Sequence, residues 1–407
     1  MARAGVRRLA GVVTVGVSLL ALGACGQGGS SAPSAAPPTA PLPTPVSPAA
    51  AAGRGTIVDA QPVTVPDAGA GQVVVYRSTN GSDGAPTEVS GLFFTPSGAP
   101  PAGGWPVIVY AHGTTGLTPD CGPTLNIATA GKNAPVQMLT TRGYAVAVVD
   151  YQGLGVAGRR EGATVAQPKH PYLEPRSAAY DVIDAVRAMR ALHPGQISTR
   201  WAAAGHSQGG QAAWAAAELA PAYGTGLQLV AAMAQAPALN LTQLGYDNGT
   251  ITADKAWSLP ELVTGLSVSR PEMDRWHYIR GAVRTDLASL IACGAEVGGT
   301  PTPTITQEEV QPATAADGRL LQTALEQYSL PQRRISVPVY VAQGTADPVI
   351  PPAATTASLR TACAQGDRVH FQALPGKDHN IAGDMSGFAW LYDRFAGKPD
   401  GDVCRLG

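Results

Sequence analysis

Trp201-Ala202-Ala203-Ala204 runs straight into Gly205-His206-Ser207-Gln208-Gly209-Gly210, and the sequence beyond it is rich in alanine. An apolar run, a serine with glycines two before and two after, and a helix-prone segment describe a strand that turns sharply into a helix, because residues without side chains let the backbone close that tightly. Such a turn lifts one hydroxyl to the upper edge of a sheet, which makes Ser207 the candidate nucleophile. In a chain with 48 glycines among 407 residues the pentapeptide alone says little. Its flanks carry the reading: Ala213 to Leu219 favours helix, a glycine-containing loop precedes it, and an acid and a histidine follow it in the order serine, acid, histidine.

The rest of the domain alternates strand-like and helical segments. Val73 to Arg77 and Gly91 to Thr95 predict an opening antiparallel pair. Strands are predicted at Pro106 to Ala111, Tyr144 to Asp150, the run before Ser207, Leu229 to Ala234, Val337 to Gln343 and Val369 to Ala373, with a helix across Ser177 to Leu192. Continuous apolar runs such as Val107-Ile108-Val109-Tyr110 suit strands covered on both faces, so the expected architecture is α/β with a mostly parallel central sheet flanked by helices. Between about 239 and 334 the regularity is lost; Trp257, Trp276, several prolines and a polar stretch at 300–317 fit a cap inserted over the carboxyl edge of the sheet, where such sheets bind ligands.

The amino terminus fixes where the chain is expected to work. Arg3, Arg7 and Arg8 precede an apolar run from Leu9 to Leu22, and small residues then lead to Cys25, the pattern of a secretory signal peptide over 1–24. Gly11 and Gly16 interrupt the run, which is also short of the ~20 residues a membrane-spanning helix needs. Leu22-Gly23-Ala24-Cys25 resembles a bacterial lipobox, so Cys25 is expected to be acylated. Residues 25–54 are mostly Pro, Ala, Ser and Gly with no charge before Arg54 and read as a disordered tether to a single domain spanning 55–407. A formal net charge of −1 gives no support for nucleic-acid binding. Apart from Cys25 four cysteines remain, Cys121, Cys293, Cys363 and Cys404; an even count in an exported chain reads as two disulfides, with three possible pairings, and the spacings do not suit zinc.

Asp347, in Gly344-Thr345-Ala346-Asp347-Pro348, follows a predicted strand on a turn that Gly and Pro hold at a loop tip. His379 follows the last strand and precedes the final helix; of the seven histidines it alone lies beyond that strand. Asp378 is a rival acid by proximity, read instead as a solvated or capping residue. A serine hydroxyl becomes nucleophilic when a neutral imidazole accepts its proton, and a buried carboxylate fixes the imidazole tautomer and stabilises the imidazolium. The negative oxygen that forms needs preorganised donors. The amide of Gln208 is one, and Thr114, in His112-Gly113-Thr114-Thr115-Gly116, is the expected second, with Thr115 as the alternative; His112 is read as ordering that loop rather than acting as a base.

Together with Cys121-Gly122-Pro123, Asp150-Tyr151-Gln152-Gly153-Leu154-Gly155 and His170-Pro171-Tyr172-Leu173 leading into Arg176-Ser177, these segments resemble the secretory lipase family of α/β hydrolases, which includes the fungal lipase A type and many actinobacterial exported lipases. The resemblance spans nearly all of the domain. It implies a triad of Ser207, Asp347 and His379, a cap that forms the acyl-chain pocket, and disulfides Cys121–Cys293 and Cys363–Cys404. The oxyanion loop departs from the fungal type, carrying His-Gly-Thr-Thr in place of an acidic loop. The expectation is an exported, membrane-tethered monomeric serine hydrolase that cleaves the carboxylic ester bonds of lipids through an acyl-enzyme intermediate, without metal or cofactor. A serine peptidase or acyltransferase on the same fold, and a non-catalytic surface lipoprotein, are the competing readings.

Overall fold

Val107 to Tyr110 reads as one apolar run because both faces of its strand are covered. Val107 and Val109 join a cluster with Trp201, Ala203 and Trp214, while Ile108 and Tyr110 join another with Val146, Ala202 and Met233. The computed structural model describes residues 44–128, 135–161, 169–243, 246–247, 250–294, 305–401 and 403–406. Its main sheet has nine strands: β1 (Ile57–Val65), β2 (Gly69–Thr79), β3 (Pro86–Phe94), β4 (Trp105–Ala111), β5 (Ala145–Val149), β6 (Ile197–His206), β7 (Gln228–Gln235), β8 (Val339–Gly344) and β9 (Val369–Leu374). Their order is β1-β2-β3-β5-β4-β6-β7-β8-β9. Pairings from β1 through to β5 are antiparallel, and from β5 to β9 all are parallel.

Seven helices matter to the site. They are α1 (Pro48–Gly53), α2 (Pro175–Leu192), α3 (Gln208–Tyr223), α4 (Leu259–Ser269), α5 (Ala315–Tyr328), α6 (Pro352–Ala364) and α7 (Ser386–Phe395). Helices α2, α3 and α6 cover one face of the sheet and α7 the other. The alanines of α3, Ala212, Ala213 and Ala215 to Ala217, are buried, and their small side chains let this helix lie close against the strands that carry it. The segment between β7 and β8 leaves the sheet and folds about its own apolar cluster, in which Leu241, Leu262 and Leu266 meet Tyr278, Leu321 and Leu325. This is the cap expected over about 239–334.

Three features differ from the sequence-based expectation. Residues 48–53, expected as tether, form α1: Ser47 caps the helix by accepting from the Ala50 amide at 3.2 Å, Pro48 starts it, and Ala50 is buried. Strand β1 adds an edge to the antiparallel end. The two disulfides are Cys121–Cys293 and Cys363–Cys404. The first ties the loop after β4 to the cap, as expected. The second is expected to close the carboxyl-terminal helix onto the sheet, but Cys404 lies beyond α7 and its amide donates to Val369 O at 2.7 Å, so the bridge pins the carboxyl-terminal tail across α6 and β9. The segment expected to be a signal peptide, Cys25 as the expected site of acylation, and the expected tether up to residue 43 lie outside the described residues. Among the described residues no helix is long and apolar enough to cross a membrane.

Candidate active site

At the end of β6 the backbone of Ser207 adopts φ 57° and ψ −116°, a strained conformation for a residue with a side chain. What fixes it is the packing of the flanking glycines. A Cβ on Gly205 would lie 2.3 Å from Gly209 O, and one on Gly209 would lie 1.9 Å from Ala111 O, so any side chain there would push α3 off β4 and β6. The Ser207 amide donates to Gln235 O at 2.9 Å, which anchors the turn to β7.

The structure brings Ser207, His379 and Asp347 together. His379 Nδ1 lies 2.8 Å from Asp347 Oδ2 and Nε2 lies 3.0 Å from Ser207 Oγ. A carboxylate only accepts, so Nδ1 carries the proton and Nε2 is free to accept from the serine hydroxyl. Asp347 itself is 5 % exposed and fully engaged. Its Oδ1 accepts from the amides of Val349 and Ile350, both at 2.8 Å, and its Oδ2 also accepts from Gln343 Nε2 at 2.8 Å. Burial pushes this carboxyl up, but the hydrogen bond and charge of His379 and the two amides outweigh it and hold the group below its ordinary range. Asp378 is exposed and accepts from the Asn380 amide at 2.9 Å, so it caps its own turn.

The loop 112–116, expected to supply an oxyanion donor, lies against the elbow. A Cβ on Gly113 would come within 3.8 Å of Ser207 Cβ. The amides of Gln208 and Thr114 make no hydrogen bond among the described residues, whereas the Thr114 hydroxyl is 2.8 Å from Tyr172 OH. Thr115 Oγ1 is buried and unpartnered. His112 orders the loop: its Nδ1 donates to Gly113 O at 2.5 Å, and Tyr151 OH donates to its carbonyl at 2.7 Å. Above Ser207 opens a cavity of about 740 Å³ whose wall includes Thr114, Tyr172, Leu173, Trp257, Glu261 and Ile350. Among the described residues no group of three or more His, Cys, Asp or Glu is arranged to hold a metal ion.

A family model of secretory lipases matches residues 123–403, well over half of the chain. The chain belongs to the secretory lipase family. Membership makes it a carboxylic ester hydrolase, and with the two disulfides it points to an extracellular protein. The fold is that of α/β-hydrolase lipases. Lipase A of Candida antarctica in its closed state superposes with a TM-score of 0.70 at 17 % identity, over 86 % of this chain and 84 % of that one. The rice cell wall degrading esterase LipA from Xanthomonas oryzae gives 0.61 at 19 % identity, over 84 % and 96 %. A hydrolase of Legionella pneumophila gives 0.61 at 18 %, over 81 % and 87 %. No curated protein matches the sequence.

Several residues of this lipase that support the site are not evident from the sequence. His206 Nε2 donates to the carbonyl of His379 at 2.7 Å, and burial, then the neighbouring His379 charge, pull its pKa down to about 4, so it stays neutral and braces the histidine loop. His170 Nδ1 donates to Gln152 O at 3.0 Å and its Nε2 accepts from Gln208 Nε2 at 2.9 Å; burial lowers its pKa to about 3, which keeps that acceptor available. Lys255 reaches from the cap to the carbonyls of Pro348 and Val349 and thereby ties the cap to the Asp347 loop. Gln343 is held by Thr355 Oγ1 at 2.8 Å while it donates to Asp347. His206 and His170 sit in quoted motifs, so their presence was readable; their partners, set by the tertiary fold, were not.

Proposed function

We propose that this secretory lipase cleaves lipid esters through an acyl-enzyme intermediate on Ser207. The observation that carries the reading is the bridge of His379 between Ser207 Oγ and Asp347 at 3.0 and 2.8 Å, at the floor of the cavity. Ser207 Oγ attacks the ester carbonyl carbon as its proton passes to His379 Nε2. The carbonyl oxygen becomes negative and takes hydrogen bonds from the amides of Gln208 and Thr114, each donor contributing about 3 to 4 kcal/mol. Collapse breaks the bond to the alcohol oxygen, which receives the proton from His379 Nε2. Water then attacks the acyl carbonyl carbon as its proton passes to His379 Nε2, and collapse breaks the bond to Ser207 Oγ, which takes that proton back from His379 as the acid leaves. Asp347 keeps Nδ1 protonated throughout and stabilises the imidazolium.

The cavity supports the lipid reading, because most of its exposed wall surface is apolar, with Leu173, Leu262, Val349 and Ile350 among the lining residues, and its volume falls within the ~300–1,000 Å³ of small-molecule sites. Hydrolysis of a p-nitrophenyl acyl ester series by the purified protein, abolished by Ser207→Ala, tests the assignment; undiminished turnover in that variant would end it. Leu22-Gly23-Ala24-Cys25 supports a further part of the proposal, that the mature chain starts at an acylated Cys25 and is tethered to a membrane outside the cytoplasm. Cys25→Ser should move the protein from the membrane fraction to the medium or leave it uncleaved. Wild-type protein found wholly soluble and starting at another residue would remove the anchor and leave the hydrolase standing.

A further inference from the structure

The cavity wall contains one carboxyl that the reaction above does not use. Glu261 is the third residue of α4, after Ser258, Leu259 and Pro260, a position from which a glutamate commonly folds back onto the first amides of its helix. Here it makes no capping bond. It is 8 % exposed, lines the cavity above Ser207, and has no hydrogen bond or ion pair among the described residues. Of the residues that share this wall, Leu173, Leu262 and Ile350 offer no polar atom from their side chains, and the Lys255 ammonium is taken by the carbonyls of Pro348 and Val349.

We propose that Glu261 is a specificity-determining residue that binds a free hydroxyl on the ester substrate, so that partial esters of a polyol such as glycerol are favoured over esters of simple alcohols. This deepens the ester-hydrolase reading of the same cavity and rests on it. Two physical points select a hydroxyl. Burial pushes the Glu261 carboxyl up to about 8, so near neutrality it keeps its proton and offers one O–H donor beside one carbonyl acceptor. An alcohol hydroxyl has the same pair of capacities and satisfies both at once, whereas an alkyl group would leave the carboxyl unpaired. A site built around such a pair discriminates strongly against the analogue that lacks the hydroxyl.

The test compares kcat/KM for glycerol monobutyrate, ethyl butyrate and butyrylcholine with the full-length wild type, Glu261→Gln and Glu261→Leu. The three substrates share one acyl chain, and near-ultraviolet circular dichroism checks that each variant is folded. The wild type should favour the glycerol ester over the ethyl ester by about tenfold or more. Glu261→Leu should bring that ratio towards one, while Glu261→Gln, which still donates and accepts, keeps most of it. A ratio unchanged in Glu261→Leu overturns the proposal and leaves the hydrolase intact. A preference for butyrylcholine that Glu261→Leu removes overturns it in favour of a carboxylate that binds cations. Turnover of none of the three by the wild type overturns it together with the ester-hydrolase reading.

Discussion

Asp347 has a contact for every lone-pair direction it uses, and this makes its substitution informative. With Asn in its place one oxygen becomes an NH₂ group, which cannot accept from His379 Nδ1–H, so the imidazole is driven to the tautomer that presents a proton to Ser207. Asp347→Asn should keep the fold and lose activity by about 10⁴-fold, read as kcat on a p-nitrophenyl ester. Full activity would transfer the acid's role elsewhere, and Asp378 is already occupied by its own turn. At this scale Ser207, Asp347 and His379 were legible because each follows a strand on a glycine-bearing loop and the three come in a fixed chain order. Glu261 and the roles of His170 and His206 were not. His170 meets Gln208 across 38 positions of sequence and His206 meets the His379 carbonyl across 173, and no local pattern records such a contact.

Among the elements, the loop after β4 and the cap are joined by both a backbone hydrogen bond and a disulfide. Leu117 N donates to Ile291 O at 2.9 Å, and Cys121–Cys293 closes the same contact across 172 residues. Replacing both cysteines by serine should lower the unfolding free energy by about 2 to 4 kcal/mol, measured by urea denaturation without reductant. An unchanged midpoint would show that the bridge does not constrain the unfolded chain. The strands were readable from their apolar runs, and the cap from the loss of regularity. Helix α1 was not, since Pro48 and the alanines after it have the composition of a tether; what makes them helical is the Ser47 cap and the burial of Ala50 against the sheet. Strand β1 was missed for a related reason: at the sheet edge its side chains are mostly exposed or half-buried, so no apolar run marks it.

Across the molecule, buried titratable groups set the pH range in which the fold is firm. Burial raises the carboxyls of Asp150, Asp181 and Asp184, and pushes Glu218 and Glu261 to about 8. These groups hold protons that the unfolded chain has released, and with Glu218 and Glu261 at about 8 stability falls as pH rises from about 6.5 to 8. His170 and His206, lowered to about 3 and 4, act oppositely: unfolded chains take up protons near 6.5 that the fold refuses. Asp347, held low, adds to the loss in acid. Unfolding measured against pH should therefore show a maximum between about pH 4 and 6.5 and decline on both sides; stability that climbs from 6.5 to 8 would refute this assignment of protons. The proposed chemistry turns on one hydroxyl in 407 residues. Treating the intact protein with a fluorophosphonate and mapping the adduct by mass spectrometry measures it directly: a single modified residue, Ser207, with Ser207→Ala left unlabelled, is the result expected, and an adduct on another residue, or persistent labelling of the alanine variant, would contradict it.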